Sequence, residues 1–395
     1  KRYNGRVKLD HKVRDWINIG VNVSFARSQN DRVSNDNQFS TPLQVVALSP
    51  ITPYIDPRTG LLSGELDTTS GLPNTRYPIY YIPLLSAKHS TYQTLVNRTL
   101  GDVYANINLT KNLVFTSELG IDQLNQTEES YDGSATGRNT GTYTGYGYYA
   151  ADQLLNINTN NFLQYTKTFA DKHDLEAVAG TSFQKQTHSY VTATGEAFPS
   201  DAFKKIVSAA TKTDASSVSS EFSFLSYFLR ANYKYNDKYL LSVSGRIDGS
   251  SRFGKNERYG FFPAVSAGWI LSEEKFLENS SWIDFMKLKA SYGLTGNAEI
   301  SDFASRGLYS GNGSYGGNAG TRPTQIANPN LKWETTRGFD VGIEAAVFNN
   351  RVTLEMDYYT RKTVDLLLEV EVPGTSGFET QFRNIGKLEN KGLEI

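Results

Sequence analysis

Ile17-Asn18-Ile19-Gly20-Val21-Asn22-Val23-Ser24-Phe25 alternates strictly between apolar residues and small or polar ones. Successive side chains of a β-strand point to opposite faces, so this period of two predicts a strand with one apolar and one polar face. A short connection, from about His11 to Trp16, precedes the strand, and a long one, from about Asp31 to Lys88, follows it. The segment is therefore predicted to be one strand of a pair that is joined tightly at one end only.

The same arrangement recurs along the chain, with a short joint inside each pair of strands. These joints lie near Thr110–Asn112, Phe169–Asp174, Asn236–Lys238 and Asn349–Arg351. Long polar stretches rich in Gly, Ser and Thr separate the pairs. Tight turns at one end of a sheet and long loops at the other are typical of an outer-membrane β-barrel.

The pattern predicts six pairs of strands and the start of another strand near Ile385. The pairs are Arg2–Leu9 with Ile17–Ser28, Arg98–Leu109 with Leu113–Leu124, Gln153–Lys167 with Leu175–Tyr190, Phe222–Tyr235 with Tyr239–Ile247, Phe261–Leu271 with Met286–Leu294, and Trp333–Val347 with Val352–Arg361. The predicted fold class is all-β: a partial antiparallel meander barrel of about 12–13 strands, open at both edges. In the fifth joint, Ser272–Leu277 is expected to form one helical turn with a Ser N-cap.

Composition is compatible with a membrane barrel and excludes several other classes. No run of apolar residues is long enough to form a transmembrane helix, so a helical membrane span is excluded. A barrel strand, in contrast, needs only about ten residues to cross the bilayer. The chain has 24 Tyr and 21 Phe but no Cys, which rules out disulfides and thiolate metal sites. A net charge of −1 provides no overall basic field for nucleic acid.

The two ends of the chain suggest that it is part of a longer protein. It begins at Lys1 in strand-like sequence and stops at Ile395, inside another alternating run. Unpaired backbone groups at a barrel edge in lipid cost several kcal/mol each. We therefore expect residues 1–395 to be an internal fragment of one barrel domain.

Motifs with catalytic or cofactor chemistry are weak in this sequence. Gly311–Gly316 matches G-x-G-x-x-G, but it lacks the preceding apolar strand and the following helix that a dinucleotide site needs, so a flexible loop is predicted. The four histidines are far apart, and none has the spacing of a metal ligand. We expect no cofactor, no metal and no enzymatic activity.

Clustered tyrosines are the candidate residues for ligand or partner contacts. The longest connection, from about Asp31 to Lys88, contains seven prolines, which predicts an ordered cap over the barrel that contacts substrate or a partner. Aromatic rings on such loops can stack on sugar rings. The alternative is an interfacial girdle with ordinary loop packing. The candidates are Tyr54, Tyr77, Tyr80 and Tyr81 in that connection, and Tyr146 and Tyr148 after the second pair.

Several further blocks follow one another along the chain: Leu48–Tyr54, the R-x-D-G-S-S-R-F-G run at Arg246–Gly254, Gly260–Trp269, Ser272–Leu277, Leu288–Asn297, Asn328–Glu334 and the N-x-G-x-x-x-N-K-G-x-E run at Asn384–Glu394. In sequence and in order these blocks resemble the SusC/RagA family of TonB-linked outer-membrane transporters of Bacteroidetes. Together these blocks extend over nearly the whole chain.

The resemblance implies a barrel of about 22 strands with a plugged lumen. It implies an integral outer-membrane protein that imports an oligosaccharide or a peptide with a SusD-like surface lipoprotein and TonB–ExbB–ExbD. The N-terminal plug and the closing C-terminal strands are then expected outside residues 1–395. A passive porin and a surface carbohydrate-binding β-domain remain as alternatives.

Overall fold

The computed structural model describes residues 1–33, 46, 48, 50–51, 53–65, 67, 69, 83–134, 145–277 and 280–395, with only the backbone at Asn312. Within these ranges the chain forms seventeen strands and one α-helix. In chain order they are β1 (Arg2–Arg14), β2 (Ile17–Arg32), α1 (Pro83–His89), β3 (Ser90–Thr110), β4 (Leu113–Asp132), β5 (Tyr146–Phe169), β6 (His173–Glu196), β7 (Thr211–Tyr235), β8 (Tyr239–Ser250), β9 (Tyr259–Ile270), β10 (Ile283–Asn297), β11 (Leu308–Tyr315), β12 (Asn318–Gln325), β13 (Glu334–Val347), β14 (Val352–Val364), β15 (Leu367–Glu371), β16 (Thr380–Asn384) and β17 (Lys387–Glu394).

Thirteen of the strands in the described ranges form one sheet in the order β1 to β10, β13, β14 and β17. Every neighbouring pair is antiparallel. Strands β1 and β17 lie at the two edges, and they do not pair with each other in the part of the chain described. The predicted partial barrel, an open antiparallel meander, is confirmed.

The longest strands extend well beyond the ranges that the sequence predicted for them. Strands β5 and β6 have 24 residues each and β7 has 25. At a rise of about 3.3 Å per residue, such a strand is far longer than the roughly 30 Å of bilayer hydrocarbon. Beyond the lipid both faces of a strand contact water, so the apolar alternation that marks a strand in the sequence disappears there.

The short turns follow the prediction, with one difference. Asn236 and Asp237, between β7 and β8, both have left-handed backbone angles, with φ of 52 and 58 degrees. Asn and Asp tolerate this conformation better than most residues. Between β9 and β10, a 3₁₀ turn covers Leu271–Glu273 and has no side-chain cap. The prediction that Ser272 caps this turn was therefore wrong, because the turn begins one residue earlier.

Two small hairpins are inserted in the long connections. Strands β11 and β12 pair within the β10–β13 connection, and β15 and β16 pair within the β14–β17 connection. The Gly311–Gly316 motif lies on β11 and in its hairpin turn, where Gly316 and Gly317 have φ of 58° and 80°. The prediction of a loop there was wrong, because the segment forms a strand. Its Gly and Ser residues give no apolar alternation by which the sequence could have indicated that strand.

Helical structure contributes little to the fold. The helix α1 has seven residues, and its Leu85 is fully buried. No helix in the described ranges is long and apolar enough to cross a membrane.

Candidate functional site

One face of the main sheet is covered by continuous rows of apolar side chains. The strand register places Val21 opposite Val103, and Val103 opposite Leu119 on the next strand. Farther along the sheet, Val243 lies opposite Val265. Most of these side chains remain exposed, Val243 by 48%, and Val21 is half-buried. A contiguous apolar surface of this extent requires an apolar environment, and lipid provides it around a barrel.

The opposite face of the sheet is polar and carries networks of ion pairs. Asn22 accepts a hydrogen bond from Arg6 Nε and donates one to Asp102, both at 2.9 Å. Arg98 donates two hydrogen bonds to the Asp122 carboxylate, at 3.0 and 2.7 Å. In a membrane barrel such a face lines the lumen.

The largest ion-pair cluster of this polar face centres on Lys289. Its Nζ lies 3.2 Å from Glu344, 2.7 Å from Glu355 and 3.0 Å from Asp357. Lys287 also contacts Glu344, at 3.2 Å. Lys287, Lys289 and Asp357 of this cluster line a cleft of about 820 Å³ near the short-turn end of the sheet. Charges this dense would be costly against lipid, which agrees with an aqueous or protein-filled lumen.

Aromatic rings gather at the short-turn end of the apolar face. Tyr239 stacks between Tyr235 and Trp269, with ring centroids 6.1 and 6.3 Å apart. The Tyr239 hydroxyl and the Trp269 indole both donate to Glu274, in the following turn, at 2.7 and 3.2 Å. These two hydrogen bonds hold the pKa of Glu274 below its ordinary value. Aromatic rings at the end of the lipid-facing surface, with their polar atoms toward water, form an interfacial girdle.

Three long connections fold onto the polar face of the sheet and form what we call the loop core: residues 251–258, 298–333 and 365–386. Its centre consists of Phe253, Leu331 and Trp333, which are exposed by 1%, 0% and 8%. The Trp333 ring lies 4.9 Å from Phe253 and 5.3 Å from Phe262 of β9. The loop core therefore covers the lumen side of the wall and does not project outward.

The R-x-D-G-S-S-R-F-G run joins the first of these connections to the second. Arg252 donates to Asp302 at 2.9 Å and to the Ala298 carbonyl at 3.2 Å, and its guanidinium lies 4.1 Å from the centroid of the Phe222 ring. The Gly254 amide donates to the Leu331 carbonyl at 2.9 Å. A Cβ at position 254 would lie 1.9 Å from the Pro329 carbonyl oxygen, so only glycine fits there.

The Asn328–Glu334 and Asn384–Glu394 blocks join the second connection to the third. The Asn384 side chain donates to the Lys332 carbonyl at 2.7 Å and accepts from the Lys332 amide at 2.9 Å. The Trp333 indole also ties the second connection to the first, because it donates to the Arg258 carbonyl at 2.9 Å. The three blocks at Arg246–Gly254, Asn328–Glu334 and Asn384–Glu394 thus fix the shape of the loop core, and their buried side chains are structural.

Comparison with known proteins agrees with this architecture. Residues 22–395 match the family described as TonB dependent receptor-like, beta-barrel. "TonB-dependent receptor P26" of Formosa agariphila is 34% identical over all of this chain, which spans 39% of that protein. "TonB-dependent receptor SusC" of Bacteroides thetaiotaomicron is 33% identical over 64% of the chain, which corresponds to 26% of SusC.

This chain belongs to the TonB-dependent receptor β-barrel family.

Solved structures place this receptor barrel near the SusC/RagA branch, as the sequence predicted. The RagAB peptide importer in its closed-closed state superposes with a TM-score of 0.84 and 27% identity, over 99% of this chain and 43% of that one. The siderophore receptor PirA of Acinetobacter baumannii, at 13% identity and a TM-score of 0.53, shares the fold alone. The chain therefore spans between about a quarter and two fifths of the length of these relatives, and the barrel to which it contributes lies in the outer membrane.

Of the predicted tyrosines in this receptor barrel, Tyr146 and Tyr148 lie on the polar face at the long-loop end of β5. The Tyr148 and Tyr190 hydroxyls are 3.0 Å apart, and both side chains are half-buried. Sequence reasoning missed Tyr190, although the β5–β6 register places it on the same face, opposite Asp152. Tyr54 is 66% exposed on a separate loop, and Tyr77, Tyr80 and Tyr81 lie outside the described residues.

The described part of the longest connection is a compact turn attached to α1. The Glu65 carboxylate is buried and accepts hydrogen bonds from Lys88 and from the Leu62 amide, at 2.8 and 3.0 Å, while His89 Nε2 lies 2.8 Å away. Burial raises the pKa of Glu65, but these hydrogen bonds outweigh burial and hold the pKa below its ordinary value. The segment around Tyr54 is thereby fixed to the start of β3.

The histidine of β6 on the polar face takes part in a simple ion pair. His188 Nε2 lies 2.7 Å from Asp152, and both side chains are on the polar face. In the ranges that the structure describes, no three His, Asp or Glu side chains come together as a metal site would require.

Proposed function

We propose that the complete protein imports a nutrient across the bacterial outer membrane by TonB-dependent transport, and that residues 1–395 form part of its barrel wall. The substrate is an oligosaccharide or a peptide. A SusD-like surface lipoprotein covers the long-loop side, and TonB–ExbB–ExbD act through an N-terminal plug outside this chain. The closing barrel strands also lie outside it.

The observation that carries this proposal is the match to receptor relatives along the whole chain. P26 aligns with all 395 residues, and RagAB superposes on 99% of them. Because this chain spans 39% and 43% of those two proteins, the remainder of each leaves room for a plug and further strands.

The loop core favours gated import over a passive porin. Phe253, Leu331 and Trp333 pack the three connections against Phe224 and Phe262 of the wall, where a porin would keep an open aqueous channel. A loop core attached by a buried cluster narrows the lumen even before a plug is added.

Uptake and conductance measurements together test the proposal. We expect cells that express the full-length protein to take up labelled oligosaccharide or peptide mixtures, and to lose this uptake when tonB is deleted. The purified protein in planar bilayers should show no large steady conductance. Uptake that persists without TonB, together with an open channel, would support the porin alternative and contradict the proposal.

The role of the predicted tyrosines needs a separate test. We propose that the connection that carries Tyr54 contacts the lipoprotein or the substrate. Deletion of residues 50–81, with surface expression checked, should then lower uptake or lipoprotein co-purification. If uptake and lipoprotein co-purification were both unchanged, this segment would only shield the mouth of the barrel.

A further inference from the structure

Two cationic side chains end the lipid-facing rows of β13 and β14. On β13, Phe339 belongs to the apolar row, and Arg337 is the next residue of the same face toward the long loops. On β14, Tyr358 belongs to the row, and Lys362 lies farther up the same face. The strand register places Arg337 directly opposite Lys362. The two charges therefore lie side by side on the outside of the wall.

The polar face of the same strands fixes this direction. Lys289 contacts Asp357 of β14 at 3.0 Å in the lumen-side cluster. Adjacent residues of a strand point to opposite faces, so Tyr358 and Lys362, at odd distances from Asp357, point away from the lumen. The β13–β14 pairing runs without a bulge from its short turn to Thr335, which gives Arg337 the same direction.

Their height on the wall corresponds to the outer edge of the bilayer. At the short-turn end of these strands, the Trp282 and Phe348 rings lie 6.3 Å apart. From Val347 to Arg337 the chain rises about 33 Å along β13, which at the usual strand tilt is about 25 Å along the membrane normal. The apolar band of an outer-membrane barrel has this height. Arg337 and Lys362 thus lie at the headgroup level on the long-loop side, which is the outer side in such barrels.

Neither cation has a partner among the residues that the structure describes. No hydrogen bond or ion pair there engages the Arg337 or Lys362 side chain. Leu294 of β10 lies opposite Arg337, and Glu389 of β17 lies opposite Lys362 but outside ion-pair distance. Like charges directly opposite each other in a sheet are destabilising. An anion bound between the two cations relieves this repulsion.

Charged positions at the same level on other strands differ from this pair. On β6 and β7, Lys185 and Glu221 also point outward, but they lie 2.9 Å apart and neutralise each other. On β2, Arg27 lies opposite uncharged residues on both sides. On β17, by contrast, Lys391 adds a further outward cation close to Lys362. Positive charge is therefore in excess where β13, β14 and β17 meet the headgroups.

We propose that Arg337 and Lys362 bind the phosphate of an anionic lipid of the outer leaflet, whose acyl chains lie along Phe339 and Tyr358. The Arg guanidinium matches phosphate oxygens with two parallel donors, and the Lys ammonium adds a point charge. Both aromatic side chains are exposed directly below the cations. The proposal depends on the position of the barrel in the membrane and not on the transported substrate.

A lipid phosphate suits this position better than a free phosphate ion. The acyl chains already hold the headgroup at the level of the two cations, so its effective concentration there is high. Free phosphate must give up its translational freedom to bind the same exposed pair. The site is therefore expected to select anionic lipid and to bind inorganic phosphate weakly.

Fluorescence quenching by brominated lipids tests the proposal. The full-length protein carries one bimane-labelled cysteine in place of Val341, which lies below Arg337 in the lipid-facing row, and is reconstituted in phosphatidylcholine vesicles. Phosphatidic acid with brominated chains should reach half-maximal quenching at about a tenfold lower mole fraction than brominated phosphatidylcholine, whose phosphate is balanced by choline. Equal quenching by the two lipids would overturn the proposal.

A double variant locates the site. Arg337→Gln with Lys362→Gln should abolish the preference for phosphatidic acid, because it removes both charges and keeps polar side chains of similar length. Arg361→Gln is the matched control, since Arg361 lies next to Lys362 in sequence and lines the lumen-side cleft. This control should keep the full preference. A preference that survives in the double variant would contradict binding by this pair.

A second label position decides the question in the wild-type background, even if the double variant fails to insert. Val23 is 39% exposed and Val341 is 41% exposed, and Val23 lies as far below the single cation Arg27 as Val341 lies below Arg337. A bimane at Val23 should show little preference for phosphatidic acid. An equal preference at both positions would show general attraction to the barrel and overturn a site at β13 and β14.

Inorganic phosphate distinguishes a lipid site from a site for the free ion. At constant ionic strength, millimolar inorganic phosphate should leave the quenching by brominated phosphatidic acid at Val341 unchanged. Displacement of the lipid by inorganic phosphate would contradict the proposal that the pair selects a lipid headgroup.

Discussion

The strand wall and the loop core obtain their stability in different ways. In the wall, apolar side chains such as Leu229 (58% exposed) and Val243 remain uncovered by protein, so lipid completes their packing. In the loop core, Phe253 and Leu331 are almost entirely enclosed by other residues of the same chain. The comparison shows that one chain uses two apolar environments, the membrane outside and a small protein core inside.

This difference determines how each region should respond to substitution. The wall is held by long antiparallel registers that spread its stability over many pairs. The loop core depends on a few residues, and Gly254 has no room for a side chain. Substitutions in the loop core should therefore loosen the loops without opening the wall, whereas substitutions in the wall should matter only in a membrane.

The largest expected effect is in the loop core. Trp333→Ala should lower local stability by about 3–5 kcal/mol, because it leaves a cavity and removes the indole donor to Arg258. Hydrogen exchange of residues 298–333 measures the loss. Trp282→Ala, at an exposed site near a short turn, is the control. Equal exchange in both variants would contradict a core centred on Trp333.

A charge in the lipid-facing row should have the next largest effect. Val21→Arg should cost about 2–4 kcal/mol in the complete protein in liposomes, measured by urea unfolding. Asn22→Ser, on the polar face, loses hydrogen bonds to Arg6 and Asp102 and should cost about 1 kcal/mol or less. If the two variants were equally unstable, the assignment of the faces would be wrong.

Breaking the contact between the first two connections of the loop core should have a smaller but measurable effect on stability. Arg252 and Asp302 are exposed by only 13% and 16% and lie 2.9 Å apart. A double-mutant cycle with Arg252→Gln and Asp302→Asn should give a coupling free energy of about 1–2 kcal/mol. Additive effects would show that the ion pair does not join the two connections.

The smallest expected effect depends on pH. The folded-state pKa of Glu65 is depressed. Its carboxylate therefore contributes its full stabilisation of the fold above the ordinary pKa of 4.5, and this stabilisation is lost as pH falls through the lower folded value. Proteolysis of residues 53–65 should therefore accelerate in acid. Glu65→Gln should be cleaved more readily at neutral pH and should depend less on pH. A wild-type segment that is equally protected at both pH values would rule out this attachment.

The fold was largely predictable because lipid requires every second residue of a membrane-spanning strand to be apolar. Ile17 to Phe25 alternate visibly, since each apolar side chain must face the bilayer. Above the bilayer that rule ends, so the upper ends of β5 and β6, nearly half of β7 and the β11–β12 hairpin were missed. The loop core was not predictable from periodicity, because Arg252 and Asp302 are far apart in sequence and meet only in the folded chain. The motif blocks indicated the family but not their structural role.

Cysteine accessibility tests the division into two faces most directly. The 395 residues contain no cysteine, so single substitutions give a clean background within this chain. We expect cysteines at Val21, Val103 and Leu229 of the full-length protein in membranes to react only with lipid-soluble maleimides. Cysteines at Asn22, Asp102 and Ser244 should react with water-soluble reagents when the lumen is accessible. Water-soluble labelling of both sets at the same rate would contradict a barrel wall with one face in lipid and the other toward the lumen.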